Sequence, residues 1–265
     1  MTVGQAATAP GALLAGPADG TLDPGAHLGG FGGLHGGLVL ALMVSAMTEH
    51  APGVGLRSVT GRFYRPVTGE FSVEAGVVRV GRAASTVWAR AAGERGVHVE
   101  ATALFGPSVS GTWPAVCPAP PAAPPPEECE LFAIPPEFVP IAAYLQIRPV
   151  GPNRPYAGGV DPELTAWIRL TEDDRPPDLL RFVLLMDGLA PAYTAVLTDL
   201  MLVPTVEFTV RPAAGLAEAG SPWVLLKART RAASLDGWNE EEIQAWGLNG
   251  EYLGSAQQLR MIRVG

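Results

Sequence analysis

The chain has 265 residues, of which 48% are hydrophobic and 17% are charged, and this balance favours a folded protein with a sizeable core over a disordered one. Its formal charge is −8 and its 18 Lys and Arg residues are scattered, which argues against a nucleic-acid-binding surface because phosphate contacts need clustered positive charge. The longest apolar runs fall short of the about 20 residues that a membrane-spanning helix needs, and the N-terminus lacks the features of a signal peptide. We therefore expect a cytoplasmic protein that binds neither nucleic acid nor a membrane.

The first half of the chain predicts one helix followed by four strands. The segment "HGGLVLALMVSAMTEH" begins with two glycines after its histidine and predicts an apolar helix of about three to four turns. Short Gly-containing turns separate the strand-like segments that follow, so these strands should pair antiparallel, because parallel pairs need long crossovers. The segments are residues 57 to 66, 70 to 81, 84 to 93 and 96 to 106.

A proline-rich segment separates the two halves of the chain. Residues 106 to 140 hold too many prolines for a helix or a central strand and predict a linker with polyproline II character. The predicted division is an N-terminal unit at 1–106 with an N-terminal arm, a linker at 107–140 and a C-terminal unit at 141–265. The two cysteines, Cys117 and Cys129, lie in this linker, and with four unclustered histidines they predict neither a disulfide framework nor a metal site.

The second half repeats the plan of the first. A strand within residues 159 to 170 precedes a long apolar helix near 178 to 198. Four strand candidates follow, at residues 204 to 212, 222 to 235, 238 to 247 and 251 to 264. The pattern predicts an α+β fold in which each half wraps an antiparallel sheet around its own helix, and the two sheets could be continuous.

One carboxylate, Asp187, stands inside the apolar run "RFVLLMDGLAPA". Burying an unpaired charge costs several kcal/mol, about 3 to 5 when a partner is removed. Asp187 is therefore either a hydrogen-bonded structural acid or a group held in a cavity for chemistry.

Five segments, taken in order, resemble the double-hotdog acyl-CoA thioesterases, in particular bacterial acyl-CoA thioesterase II. They are "FGGLHGGLVLALMVSAM", "FYRPVTGEFSVEAGVVRVGRAASTVWARAAGERG", "LLMDGLAPA", "WVLLKARTRAASLDGW" and "NGEYLGSAQQLRMIR". The resemblance implies a double hotdog, in which two long central helices are each wrapped by an antiparallel sheet. It also implies a homodimer or higher homo-oligomer, because hotdog proteins associate by extending or stacking their sheets.

The resemblance implies a catalytic set of three residues. The family's Asp falls on Asp187, its Thr on Thr230 and its Gln on Gln258. Gln257 is adjacent, and strand alternation puts it on the face opposite to Gln258. The chain departs from the family pattern after two of these residues, where Gly188 stands in place of the usual His and Leu259 in place of the usual Glu. These departures leave the three residues intact and leave the substrate range open.

His35, Gly36 and Gly37 are the candidate substrate-binding residues. Single-domain hotdog thioesterases often carry His-Gly-Gly at this helix start, where glycine amides bind the thioester oxygen. The alternative is a loop histidine whose glycines only allow close packing. In the first half, the position that matches Gln258 falls near the apolar Leu104, so we expect one active site per chain, built mainly from the second half.

The function implied is hydrolysis of an acyl-CoA thioester to coenzyme A and a carboxylic acid by activated water, without a cofactor. The sequence has no G-x-S-x-G motif for a serine nucleophile, and its glycine-rich segment lacks the strand and acidic partner of a dinucleotide site. The alternative is a non-catalytic hotdog protein that binds acyl thioesters or serves as an assembly scaffold. A hydratase on the same fold would need a His/Asp pair at a helix start, which the sequence does not show.

Overall fold

One large antiparallel sheet and few helices make up the computed structural model, which describes residues 8–16, 20–109 and 111–263. The helices of these residues are α1 (Pro10–Leu14), α2 (Gly36–Thr48) and α3 (Leu179–Leu185). The strands are β1 (Thr21–Leu22), β2 (Gly29–Gly30), β3 (Gly33–Leu34), β4 (Gly55–Phe63), β5 (Phe71–Arg79), β6 (Ser85–Gly93), β7 (Gly96–Gly106), β8 (Leu145–Val150), β9 (Glu163–Leu170), β10 (Thr205–Pro212), β11 (Val224–Ala233), β12 (Trp238–Gly247) and β13 (Tyr252–Met261). None of the helices in the described ranges has the length and apolar character that crossing a membrane demands.

Eleven strands form a single sheet in the order β1-β5-β6-β7-β4-β10-β13-β12-β11-β9-β8, and every pair in it is antiparallel. The two halves meet where β4 pairs with β10. At this seam Thr60 lies opposite Thr209, and the two hydroxyl oxygens are 2.8 Å apart. The separate strands β2 and β3 form a small hairpin.

The predicted first helix is confirmed as α2, which has 13 residues. Its sequence is apolar around almost the whole circumference, and nine of its residues are buried, as expected of a helix at the centre of a core. It packs against β5 and β6 on one side and against α3 on another. The inward-facing residues of β6, Val87, Ala89 and Ala91, are buried in the same hydrophobic core.

The predicted long second helix is wrong. Helix α3 has only seven residues, and its start is capped by the Asp178 side chain, which accepts a hydrogen bond from the Arg181 amide at 2.9 Å. The helix ends in a tighter, 3-10-like turn. The Asp187 amide donates to the Leu184 carbonyl at 3.1 Å, and the Gly188 amide donates to the Leu185 carbonyl at 2.9 Å. Gly188 and Pro191 prevent the apolar run from continuing as a helix. Asp187 therefore follows the helix instead of lying on it.

The proline-rich linker packs on the outer face of the C-terminal half. The indole N–H of Trp246 donates to the Pro118 carbonyl, and that of Trp167 donates to the Pro124 carbonyl, each at 2.9 Å. Cys129 is buried beside these two indoles. The linker then leads into β8, an edge strand that the sequence analysis did not predict.

Candidate active site

The Asp187 carboxylate is both hydrogen-bonded and in contact with a cavity. Its Oδ2 accepts from the Gly37 amide at 2.8 Å, and its Oδ1 accepts from Gln258 Nε2 at 2.7 Å. Its side chain is 12% exposed and lines the apolar cavity described below. Asp187 is therefore a hydrogen-bonded acid that also borders a cavity, and its role in chemistry stays a prediction.

The glycines at the start of α2 allow this close approach. A Cβ on Gly37 would lie 2.7 Å from the Leu184 carbonyl oxygen and 2.8 Å from Asp187 Cβ. A Cβ on Gly36 would lie 3.0 Å from Asp187 Oδ2. Glycine at both positions lets the N-terminal end of α2 touch the carboxylate, and that end carries free amides and a positive helix dipole.

His35 lies on the other side of the same contact. Its Nε2 is 3.0 Å from the main-chain oxygen of Asp187 and 3.8 Å from Asp187 Oδ2. The first distance is a hydrogen bond in which the ring nitrogen donates to the peptide oxygen. Contrary to the expectation from the sequence, a His and an Asp do meet at the start of a helix, because folding brings together two segments that are distant in sequence.

Gln258 and Thr230 lie on one row of the sheet but occupy different surroundings. Thr230 of β11 is opposite Glu241 of β12, which is opposite Gln258 of β13. With neighbouring strands about 4.8 Å apart, Thr230 stands about 10 Å from Gln258. Both residues are buried, but among the described residues the Thr230 hydroxyl has no hydrogen-bond partner, whereas Gln258 donates to Asp187. Gln257 is exposed and accepts from Arg211 on the outer face at 3.4 Å.

Two charged residues near Asp187 were missed by the sequence analysis. Glu241 is 3% exposed and Arg260 is 5% exposed, and Arg260 Nη2 lies 3.2 Å from Glu241 Oε1 and 3.8 Å from Asp187 Oδ1. Complete burial raises the pKa of the Glu241 carboxyl, while Arg260 and the Ala192 amide act in the opposite direction. Strand alternation could have identified both residues. Glu241 is two residues from the apolar Ile243, and Arg260 is two residues from Gln258, so both should point into the core.

The cavity beside Asp187 has a volume of about 470 Å³. Apolar side chains from both halves and from the linker form most of its wall, including Leu34, Val39, Phe63, Phe132, Ile134 and Leu189. Its polar wall near the carboxylate consists of His35, Gly36 and Arg260. Thr230 and Gln258 do not line it. In the part of the chain that the structure describes, no group of three or more His, Cys, Asp or Glu residues could hold a metal ion.

Comparison with known families matches both halves of the chain. Residues 26–106 match the family model for the N-terminal domain of acyl-CoA thioesterases, and residues 114–262 match that for the C-terminal domain. The second match alone covers more than half of the chain. No curated protein matches the sequence.

Solved structures show the same fold. The chain is similar to a hotdog-fold protein of unknown function from Alicyclobacillus acidocaldarius, with a TM-score of 0.83, 24% identity and coverage of 92% of this chain and 93% of that chain. It is similar to a candidate thioesterase II from Thermobifida fusca, with a TM-score of 0.79, 21% identity and 92% of each chain covered. An acyl-CoA thioesterase II from Mycobacterium marinum has a TM-score of 0.68 and 20% identity, over 87% of this chain and 89% of that chain. At these identities the likeness shows the hotdog fold.

Proposed function

Because the chain belongs to the acyl-CoA thioesterase family, we propose that it hydrolyses an acyl-CoA thioester to free coenzyme A and a carboxylic acid. The observation that carries this proposal is the Asp187 carboxylate, held by Gly37 and Gln258 at the wall of an apolar cavity. An apolar cavity suits the acyl chain, and a fixed carboxylate suits the activation of water.

In the proposed reaction, Asp187 takes a proton from a water molecule as the water oxygen adds to the thioester carbonyl carbon. The Gly37 amide and the Gln258 amide hold the carboxylate in one orientation. The carbonyl oxygen becomes negative, and we assign the Gly36 amide, at the start of the 13-residue helix α2, as its hydrogen-bond donor. The carbon–sulfur bond then breaks, and the proton on Asp187 passes to the departing sulfur.

Thr230 and His35 have secondary parts in this proposal. Thr230 lies on the same sheet face as Gln258 but two strands away and outside the cavity wall, so its hydroxyl would reach the site only through a bridging water molecule. His35 fixes the main chain of Asp187 through its hydrogen bond to the peptide oxygen. The catalytic and substrate-binding roles of all six residues, Asp187, Thr230, Gln258, His35, Gly36 and Gly37, are proposals.

The test is a panel of acyl-CoAs with detection of the released thiol, run on the wild-type protein and on Asp187→Asn. The Asn amide cannot accept the proton of water, and its NH2 group would face one of the two donors that converge on Asp187, so we expect kcat to fall about 10²- to 10⁴-fold. Asp161→Asn, at an exposed Asp in the same half, is the matched control and should keep the wild-type rate. Unchanged turnover in Asp187→Asn, at unchanged melting temperature, would contradict the mechanism.

The same panel distinguishes the other functions. Binding of acyl-CoA without thiol release would favour a non-catalytic acyl-thioester-binding protein. An enoyl-CoA belongs in the panel because His35 and Asp187 form the kind of pair that a hydratase uses. Loss of the enoyl double bond without thiol release would indicate a hydratase.

A further inference from the structure

A buried ion pair stands directly behind the Asp187 carboxylate. Building on the function proposed above, we propose that Glu241 and Arg260 form a positioning pair, which holds Asp187 and its loop in the geometry needed for reaction. Neither residue belongs to the Asp, Thr and Gln set that the family resemblance implies.

Arg260 connects three parts of the structure. Its Nε and Nη2 donate to Glu241 Oε1 at 3.3 and 3.2 Å, and its Nη1 donates to the Val203 carbonyl at 3.3 Å. Its Nη2 also lies 3.8 Å from Asp187 Oδ1, the oxygen that accepts from Gln258. Arg260 and Gln258 are two residues apart on β13, so their side chains point to the same face of the sheet. Both therefore approach the same carboxylate oxygen.

Glu241 holds the other end of the Asp187 loop. Its Oε2 accepts a hydrogen bond from the amide of Ala192, the first residue of a short 3-10 helix (Ala192–Val196). The loop from Asp187 to Ala192 is therefore fixed at both ends by one connected set of side chains. Gly188 and Pro191 interrupt regular structure within this loop, so its shape depends on these side-chain contacts.

Stability alone does not account for such a pair. Taking two charges out of water costs about as much as their attraction returns, and replacing a buried pair with apolar residues of similar volume is often neutral. The pair is almost fully buried, with the Arg260 and Glu241 side chains 6% and 1% exposed. Its contacts lead to Asp187 by two routes, through Arg260 and through Ala192, as a positioning role requires.

The test uses a double substitution, Glu241→Leu with Arg260→Met, which removes both charges together, so that neither buried charge is left without the other. The Ala192 amide and the Val203 carbonyl lose their side-chain partners in this variant. A matched control exists on the opposite face of the same strand, where Glu242 pairs with Arg231. We therefore compare it with Glu242→Leu combined with Arg231→Met. The active acyl-CoA of the panel serves as the substrate, and kcat, KM and melting temperature are measured for each protein.

We expect the inner double variant to lose kcat about 10- to 100-fold, with KM within about twofold of the wild-type value, because misplacement of a reacting group affects the chemical step. The outer double variant should keep both constants. A graded result is expected for Glu241→Gln, which keeps one acceptor for Arg260 and Ala192 and should retain more activity than the double variant. Wild-type kcat in the folded inner double variant would overturn the proposal.

A crystal structure of the inner double variant decides the question independently of turnover. A displaced Asp187 side chain, or a displaced loop up to Ala192, supports the positioning role. Retention of both Asp187 hydrogen bonds, from Gly37 and from Gln258, overturns it. If the wild-type protein releases no thiol from any acyl-CoA, the proposed function fails, and this structural comparison still tests the pair.

Discussion

The Asp187 carboxylate is tolerated in this core because several donors converge on it. The Gly37 amide and the Gln258 amide each reach a different oxygen of Asp187, and Arg260 stands close to one of them. Hydrogen bonds to an ionised group contribute about 1.5–3 kcal/mol each, which offsets much of the cost of partial burial. The remaining exposure is on the cavity side, where a water molecule and a substrate would approach.

Two adjacent glutamines, which face opposite sides of the sheet, provide a matched test. Gln258→Leu removes the donor to Asp187 Oδ1, while Gln257→Leu changes a neighbour that points out of the sheet. We expect Gln258→Leu to reduce kcat/KM about 10- to 100-fold through loss of carboxylate orientation, and Gln257→Leu to leave it unchanged. Steady-state kinetics with the active acyl-CoA check this, and equal losses in the two variants would count against the assignment of faces.

The candidate site was only partly predictable from its residues. Asp187 could be identified because a carboxylate inside an apolar run is conspicuous, and strand alternation correctly placed Gln258 and Gln257 on opposite faces. Glu241 was hidden in a run of three glutamates, where two neighbours are solvated and only the middle one is buried. Contacts such as His35 with Asp187 join residues 152 positions apart, and no local pattern encodes such a contact.

The proline-rich linker does more than connect the two halves of the chain. It crosses the outer face of the C-terminal half, where Trp167 and Trp246 donate to its carbonyls. Beyond Cys129 it reaches the cavity, where Phe132 and Ile134 form part of the wall. A segment without regular structure thus contributes to the space proposed for the acyl chain.

Two linker residues of equal size test this contribution. Ile134 lines the cavity, whereas Leu131 is 57% exposed and does not. Ile134→Ala removes apolar contact with the acyl chain, and we expect kcat/KM for the best substrate to fall about 5- to 30-fold, with the preference moving toward bulkier acyl groups. Leu131→Ala should change neither the rate nor the preference. A chain-length series of acyl-CoAs measures both, and identical profiles for the two variants would argue against linker involvement.

Element boundaries show where local pattern succeeds and where it fails. Helix α2 and the strands from β4 to β7 were predicted closely, because their periodicity is strong and glycine turns separate them. The length of α3 was overestimated because the apolar residues on both sides of Gly188 read as one helix, although Gly188 and Pro191 divide them. Strand β8, which ends in Pro149 and Val150, was missed because proline lowers strand propensity. The proline is tolerated in β8 because this strand lies at the edge of the sheet.

The two halves of the molecule meet at Thr60 and Thr209, and residues can be matched between them from this pair outward. The matched side chains differ in polarity. Phe208 pairs with Gln258 in the second half, and the corresponding pair in the first half is Val59 with Ala103. The counterpart of Gln258 is thus Ala103, one residue from the predicted Leu104, which faces outward and is 44% exposed. By the same registers, Val87 corresponds to Glu241 and Phe105 to Arg260.

A homodimer or higher homo-oligomer and a cytoplasmic location stay predictions.

This asymmetry predicts one active site per chain. The first half supplies His35, Gly36 and Gly37 to the site, while its own equivalents of the polar sheet residues are apolar, so a second carboxylate site cannot form at the pseudosymmetric position. A non-hydrolysable acyl-CoA thioether titrated by calorimetry should therefore saturate at one ligand per chain, and Asp187→Asn should retain that stoichiometry because it alters the carboxylate and leaves the apolar cavity in place. Two equivalent ligands per chain would show that the first half also forms a site, and the assignment of catalysis to the second half would then be wrong.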